Sequence, residues 1–84
     1  MNALEKRKAG NSPVAENLKM IIEERALHQA EIARRAGLEP RNLCDIIKGN
    51  KLIRASEIEA LAKVMAVEVQ ELFARQVDVE DSIL

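Results

Sequence analysis

The chain has 84 residues, of which 48% are hydrophobic and 32% charged, and its formal net charge is −1. This length allows one domain with a modest core, and a single cysteine, Cys44, excludes a disulfide within the chain. Phe73 is the only aromatic residue, which argues against a surface that stacks single-stranded or RNA bases. No apolar run reaches the roughly 18 residues of a membrane span, and no secretory signal is recognisable. We therefore expect a cytoplasmic protein, and the abundance of Ala, Leu, Ile, Glu and Lys favours an all-α fold.

Charge is distributed unevenly along the sequence. Residues 1–54 carry eleven Lys/Arg and seven Asp/Glu, about +4, whereas residues 55–84 carry two and seven, about −5. Helical surfaces are charged in any case, but this polarity would let one face of the protein meet phosphates while another stays acidic. The negative net charge therefore does not exclude a nucleic-acid partner.

The hydrophobic pattern predicts an N-terminal arm followed by a first helix. Residues 1–11 have no sustained apolar period and are expected to form a flexible basic arm. Ser12 and Pro13 resemble an N-cap and a first helical residue, and an apolar stripe extends this helix to about Ala26. The stripe consists of Val14, Leu18, Ile21 and Ile22.

Two short helices follow. The second begins at Gln29, with His28 as a weak N-cap, and it ends at Gly37 because a residue without Cβ adopts positive φ most easily. The third begins at Pro40 and is closed by Gly49. Its inward-facing residues are expected to be Leu43, Ile46 and Ile47.

The C-terminal third predicts two further helices. Ser56 and Glu59 match a capping box, so the fourth helix should begin at Ala55 or just after Ser56. A short fifth helix is expected over about Val69 to Arg75. Its core residues would be Leu72 and Phe73.

The stretch Gln29–Ile47 has the features of a helix-turn-helix. Ala33 is small where the two helices would come closest, and Gly37 permits the tight turn between them. Such a pair holds its second helix clear of the body, so that this helix can enter the major groove of DNA. The predicted segments are a flexible basic arm (1–11), a helix-turn-helix domain (12–75) and an acidic tail (76–84).

A set of residues with a characteristic order and spacing extends over residues 17–73, about two-thirds of the chain. They are Leu27, Gln29, Glu31, Ile32, Ala33, Gly37, Leu43, Ile46, Gly49, Leu61, Ala62, Lys63, Met65 and Val67. This pattern resembles the phage-repressor family of helix-turn-helix proteins, also called Cro/repressor or XRE. The resemblance implies a compact five-helix domain like that of lambda repressor, and binding to double-stranded DNA.

Four positions depart from that family. Members often pair an Arg with a Glu where this chain has Ile22 and Ile47, so both partners are apolar here and no buried charge is left unpaired. Ala66 stands where Gly is common, which predicts a less tightly turned end of the fourth helix. Glu39 stands where Ser or Thr usually caps the third helix.

The side chains expected to read bases lie on or near the exposed side of the third helix. Arg41, in its first turn, is suited to bidentate bonds with guanine O6 and N7. Asp45 either accepts from cytosine N4 or holds Arg41 in position from four residues away. Asn42 meets either a base edge or a phosphate, and Cys44 either touches a thymine methyl group or packs as a small side chain, with a thiol sensor as the weakest alternative.

Phosphate contacts are expected on both sides of that helix. The resemblance implies that Gln29 bonds a phosphate at the positive end of the second helix. The residues expected to clamp phosphates after the third helix are Lys48, Asn50 and Lys51. The basic residues that form either a DNA-wrapping arm or a solubilising tail are Lys6, Arg7 and Lys8.

These features favour a sequence-specific DNA-binding transcriptional regulator, with repression expected, that acts as a homodimer on a palindromic site. The residues expected in the dimer surface are Phe73, Val77, Val79, Ile83 and Leu84. The alternatives are an antitoxin whose acidic C-terminal region binds a toxin, and a helix-turn-helix used only for protein contacts. No residue pattern predicts catalysis, a metal site or a cofactor.

Overall fold

The computed structural model describes residues 10–74, and within them five helices are arranged in chain order. These are α1 (Val14–Glu24), α2 (Gln29–Arg35), α3 (Pro40–Lys48), α4 (Ala55–Met65) and α5 (Val69–Phe73). Residues 10 and 11 are also helical, and no strand occurs in the described part of the chain. The predicted all-α class is confirmed. Among the same residues, no helix is both long and apolar enough to cross a bilayer.

An aliphatic core joins all five helices. The predicted stripe of α1 is buried in this core, together with residues of the other four helices. The buried residues contributed by α2 to α5 include Ile32, Ala33, Leu43, Ile58, Leu61, Ala62, Met65 and Leu72. Ile22 is buried and Ile47 packs partly against the cluster, so both positions where the family often has a charged pair are filled by apolar side chains.

Only one of the two residues expected to anchor α5 enters the core. Leu72 is completely buried, whereas the side chain of Phe73 is 51% exposed. Neighbouring residues of a helix are separated by about 100° around its axis, and α5 has only five residues. In so short a helix, the turn that buries Leu72 leaves the side chain of Phe73 largely outside the core. The expectation that Phe73 packs onto the core is therefore wrong.

The first four helices end in the same way. Each is followed by a residue with positive φ. The amide of that residue and the amide of the next residue donate back to carbonyls of the last turn, which is a Schellman motif. After α2, for example, the Gly37 amide donates to the Arg34 carbonyl at 3.0 Å and the Leu38 amide to the Ala33 carbonyl at 2.8 Å. The four residues with positive φ are Ala26 (53°), Gly37 (80°), Gly49 (84°) and Ala66 (57°).

The expectation that Ala66 makes the end of α4 less tightly turned is wrong. The amides of Ala66 and Val67 donate to the carbonyls of Lys63 and Ala62 at 3.2 and 3.0 Å. This is the bond pattern found at the glycine ends of α2 and α3. Ala66 therefore turns the chain as tightly as glycine would.

The caps of two helices differ from the sequence interpretation, although α4 begins at Ala55 as expected. The helix α1 begins at Val14 with Pro13 as N-cap, and the Ser12 hydroxyl donates to Glu16 Oε2 at 2.9 Å instead of capping the backbone. At α4, the Arg54 amide donates to Glu57 Oε1 at 2.8 Å. Because α4 begins at Ala55, the third helical position is Glu57, and the expected capping pair of Ser56 and Glu59 is wrong.

Long-range hydrogen bonds from α1 and from Arg25, the residue after it, reach the ends of two other helices. Asn17 is 1% exposed, and its amide nitrogen donates to the carbonyls of Leu72 at 2.7 Å and Ala74 at 2.6 Å. Arg25 Nη1 donates to the Met65 carbonyl at 2.9 Å. These bonds hold the last turns of α4 and α5 against α1.

Candidate DNA-binding surface

The helices α2 and α3 form the tight pair predicted from the sequence. Only residues 36–39 separate them, and Gly37 supplies the left-handed turn. A Cβ added at Gly37 would meet no atom within 4 Å, so this position favours glycine for its backbone conformation rather than for space. Ala33 is completely buried in the core. The two helices therefore come together through a small side chain and a permissive turn.

The helix α3 has one buried face and one open face. Leu43 and Ile46 are 0% exposed and anchor it to the core. At about 100° per residue, the opposite face carries Arg41, Asp45 and Lys48. Arg41 and Lys48 are exposed and Asp45 is half-buried. Three charged side chains therefore line the side of α3 that points away from the body.

The two remaining base-reading candidates flank that open face. Asn42 and Cys44 lie on either side of it, and both are half-buried. All four predicted base-reading residues therefore belong to one exposed or partly exposed surface of α3. Arg41 lies in the first turn, directly after Pro40, as expected.

The ion pair between Arg41 and Asp45, left open by the sequence, is not formed. Among residues 10–74, the pairs within 4.0 Å are those of Glu31 with Arg34 at 3.6 Å and with Arg35 at 3.3 Å. The guanidinium of Arg41 and the carboxylate of Asp45 therefore stand as separate groups on α3. The arginines of α2 instead bond to a glutamate of their own helix.

The predicted phosphate contacts lie at the two ends of the helix pair. Gln29 is the first residue of α2 and is half-buried. Lys48 is the last residue of α3, and after it Asn50 is exposed and Lys51 half-buried. The candidate arm residues lie outside the described residues. They are Lys6, Arg7 and Lys8.

Sequence reasoning missed Asn11, which fixes the chain after α3. Asn11 is 1% exposed, and its amide nitrogen donates to the carbonyls of Ile46 at 2.9 Å and Lys51 at 2.7 Å. Its Oδ1 accepts from the Ile53 amide at 2.9 Å. The predicted arm therefore does not reach residue 11, which belongs to the folded domain.

The signals for the missed residues differ. Asn17 interrupts the apolar stripe of α1 between Val14 and Leu18, and a polar residue on a buried face could have been recognised as a hydrogen-bonding position. Asn11 lies in a stretch without periodicity, and its partners are 35 to 42 residues away in the chain. No local sequence pattern predicts hydrogen bonds between residues so far apart.

The family follows from a comparison with known proteins. A family model described as the Cro/C1-type HTH DNA-binding domain matches residues 17–78, which include most of α1 and all of α2 to α5. The chain belongs to the Cro/C1-type family. The resemblance over residues 17–73 is thereby confirmed. No curated protein and no solved structure matches the chain.

Membership in the Cro/C1-type family agrees with the geometry of the helix pair. Its model is named for DNA binding and for the helix-turn-helix, and α2 and α3 form that motif with the open face of α3 directed away from the core. The Cro/C1-type domain of this chain keeps the fold although Ile22 and Ile47 replace the charged pair that members often have.

Proposed function

We propose that this protein is a sequence-specific transcriptional regulator that binds double-stranded DNA with α3 in the major groove. The observation that supports this most is the open face of α3, on which Arg41, Asp45 and Lys48 project from a helix anchored by Leu43 and Ile46. An α-helix fits the width and depth of the major groove. The proposal assigns sequence reading to this face.

The charges on α3 suit recognition of both bases and backbone. Arg41 lies in the first turn and can present two N–H groups to guanine O6 and N7. Asp45 can accept from cytosine N4 and would be repelled by phosphate, so it favours a site where a cytosine lies opposite it. Cys44 and Asn42 border the same face and complete the proposed reading surface.

Phosphate contacts would orient α3 in the groove. Gln29 begins α2, and the segment containing Lys48, Asn50 and Lys51 follows α3, so the two sets stand at different ends of the helix pair. Contacts of this kind fix the position of a protein on the duplex without reading its sequence. Lys6, Arg7 and Lys8 are proposed to add contacts from the N-terminal arm.

We propose that two copies pair through α5. Val69 and Phe73 are four residues apart, so they share one side of α5, and they are 37% and 51% exposed. Leu72, at about 100° from Phe73 around the helix axis, is buried in the core. A second copy would cover the exposed pair, together with the proposed tail residues Val77, Val79, Ile83 and Leu84, and it would place two α3 helices about 34 Å apart on a palindromic site. A dimer bound at a promoter would repress transcription.

The experiment that tests DNA reading is selection of bound sequences from a random pool, followed by salt titration. We expect Arg41→Ala to change the selected sequence, and Arg41→Lys to change it too, because lysine keeps the charge but loses the two-pronged geometry. Lys48→Ala should weaken binding to all sequences and reduce the log–log salt slope by about 0.9. An unchanged motif and affinity in Arg41→Ala would show that α3 is not the reading helix.

The dimer is tested by sedimentation of two matched variants. Phe73→Ser should shift the protein toward monomer and weaken binding to the palindrome. Leu52→Ser is the control, because Leu52 is also exposed, at 54%, but lies between α3 and α4. Dissociation by Leu52→Ser alone would place the interface elsewhere.

A further inference from the structure

An open groove of about 570 Å³ runs between the start of α1 and the end of α3. Its walls come from two segments that are distant in sequence. The residues that line the groove include Asn11, Glu16, Lys19, Lys48, Gly49 and Asn50. Among these, Lys19 belongs to no set of residues assigned above to DNA.

The groove carries more positive than negative charge. Lys19 on α1 and Lys48 on α3 are both exposed, and each contributes one ammonium group. Glu16 contributes the opposing carboxylate, whose Oε2 accepts the Ser12 hydroxyl at 2.9 Å. Within residues 10–74, neither lysine forms an ion pair with Glu16 within 4.0 Å. Both lysines, one from each wall, therefore line the groove without an ion pair to its carboxylate.

The wall formed by the end of α3 is held in place before any ligand arrives. Asn11 joins it to the segment before α1 through bonds to Ile46, Lys51 and Ile53 of 2.7 to 2.9 Å. The Asn50 amide donates to the Asp45 carbonyl at 2.8 Å, which closes α3 at Gly49. A binding surface that is already ordered loses less entropy when it binds.

We propose that this groove binds a phosphate of the DNA backbone, with Lys19 and Lys48 as its two cationic ligands and Asn11 as the residue that positions their walls. The inference rests on the proposed function. When α3 lies in the major groove, its C-terminal end lies near a sugar–phosphate strand, and the groove opens at that end. The duplex read by α3 would then also contact α1.

The first test compares Lys19→Ala with Lys63→Ala in salt titrations of DNA binding. Lys63 is an exposed lysine on α4 that does not line the groove, so both variants lose one positive charge. We expect Lys19→Ala to weaken binding equally for all sequences and to lower the log–log salt slope by up to about 0.9, the value for one phosphate, because Lys48 still contacts the same phosphate. Lys63→Ala should keep the wild-type slope.

The second test compares two asparagines that are equally buried. Asn11→Ala and Asn17→Ala each remove a side-chain amide that donates to two backbone carbonyls, so both should lower the midpoint of urea unfolding. The positioning role predicts that only Asn11→Ala also lowers the salt slope, when both are assayed at a temperature where circular dichroism shows them folded. If Asn11→Ala does not fold, the comparison of Lys19 with Lys63 still decides the proposal.

The outcomes separate this inference from the proposed function. A wild-type slope in Lys19→Ala, with normal DNA binding, overturns the phosphate groove and leaves major-groove reading intact. Equal slopes in Asn11→Ala and Asn17→Ala overturn the positioning role of Asn11. Absence of salt-dependent DNA binding by the wild-type protein overturns the proposed function itself, and the groove with it.

Discussion

After α2 and α3 the chain adopts the left-handed conformation at a glycine, Gly37 or Gly49. After α1 and α4 it adopts the same conformation at an alanine, Ala26 or Ala66. The left-handed conformation costs an L-residue roughly 1–2 kcal/mol, and glycine adopts it without that cost. Leu27 and Val67, which directly follow the two alanines, pack against the core, as Leu38 does after Gly37. Packing must therefore offset the cost of the left-handed alanines after α1 and α4, whereas the glycines after α2 and α3 adopt the same turn without that cost.

Hydrogen bonding separates the same two regions. Asn17 of α1 and Arg25, which directly follows α1, donate to carbonyls at the ends of α5 and α4. In the described part of the chain, no side chain of α2 or α3 donates to the backbone of another helix. The contact between α2 and α3 is organised by the small residue and the turns, and the one long-range bond to this pair is donated from outside it, by Asn11 to the Ile46 carbonyl. Substitutions can therefore test each mode of stabilisation separately.

The largest effect is expected from Ala33→Leu in the pair. Ala33 is 0% exposed, so three additional carbon atoms must displace neighbouring core residues or separate α2 from the core. We expect a loss of about 3 kcal/mol in the free energy of unfolding, measured by urea denaturation. Ala55→Leu, at an exposed position of α4, should change it by less than about 0.5 kcal/mol. Similar stability of the two variants would show that α2 packs loosely.

The bonds from α1 should give the next largest effect. Asn17→Ala leaves the Leu72 and Ala74 carbonyls without this donor, and we expect a loss of about 2 kcal/mol, measured by the same denaturation. Asn42→Ala, at a half-buried position of α3, is the control and should stay within about 0.5 kcal/mol of wild type. If Asn17→Ala were equally mild, long-range bonds would not be what holds α5.

Gly37→Ala should destabilise the protein by about 1 kcal/mol, because alanine must adopt the left-handed conformation there. The new methyl group meets no atom within 4 Å, so no clash adds to this cost. Thermal unfolding followed by circular dichroism would measure the effect. No loss of stability would mean that the turn after α2 tolerates alanine as well as the turn after α4 does.

The smallest expected change has the opposite sign. Ala66→Gly should stabilise the protein by about 0.5 kcal/mol, since relief of the left-handed strain exceeds the entropy that glycine adds to the unfolded chain. Ala60→Gly, within α4, should instead destabilise it by up to about 1 kcal/mol. Two alanine-to-glycine changes in and after one helix would then shift the melting temperature in opposite directions, and a decrease in both would argue against strain at Ala66.

The contrast between local backbone rules and long-range contacts also explains which features the sequence could predict. Pro40, Gly37 and Gly49 act through local backbone rules, so the bounds of α3 and the turn before it were predictable. The helical period also gave the open face of α3. In contrast, the turn at Ala66 depends on packing, and the bonds of Asn11 and Asn17 join residues 35 to 57 positions apart. Phe73 was misplaced because apolar character alone does not show which side of a five-residue helix is covered.

The position of Cys44 gives the wild-type chain its own reporter of complex formation. It carries the only thiol in the sequence, and it lies half-buried beside the charged face of α3. A maleimide would therefore label the protein at one known place, and a duplex seated against that helix would slow the labelling. Footprinting of this kind needs no substitution and no fluorophore, in a protein that has neither tryptophan nor tyrosine.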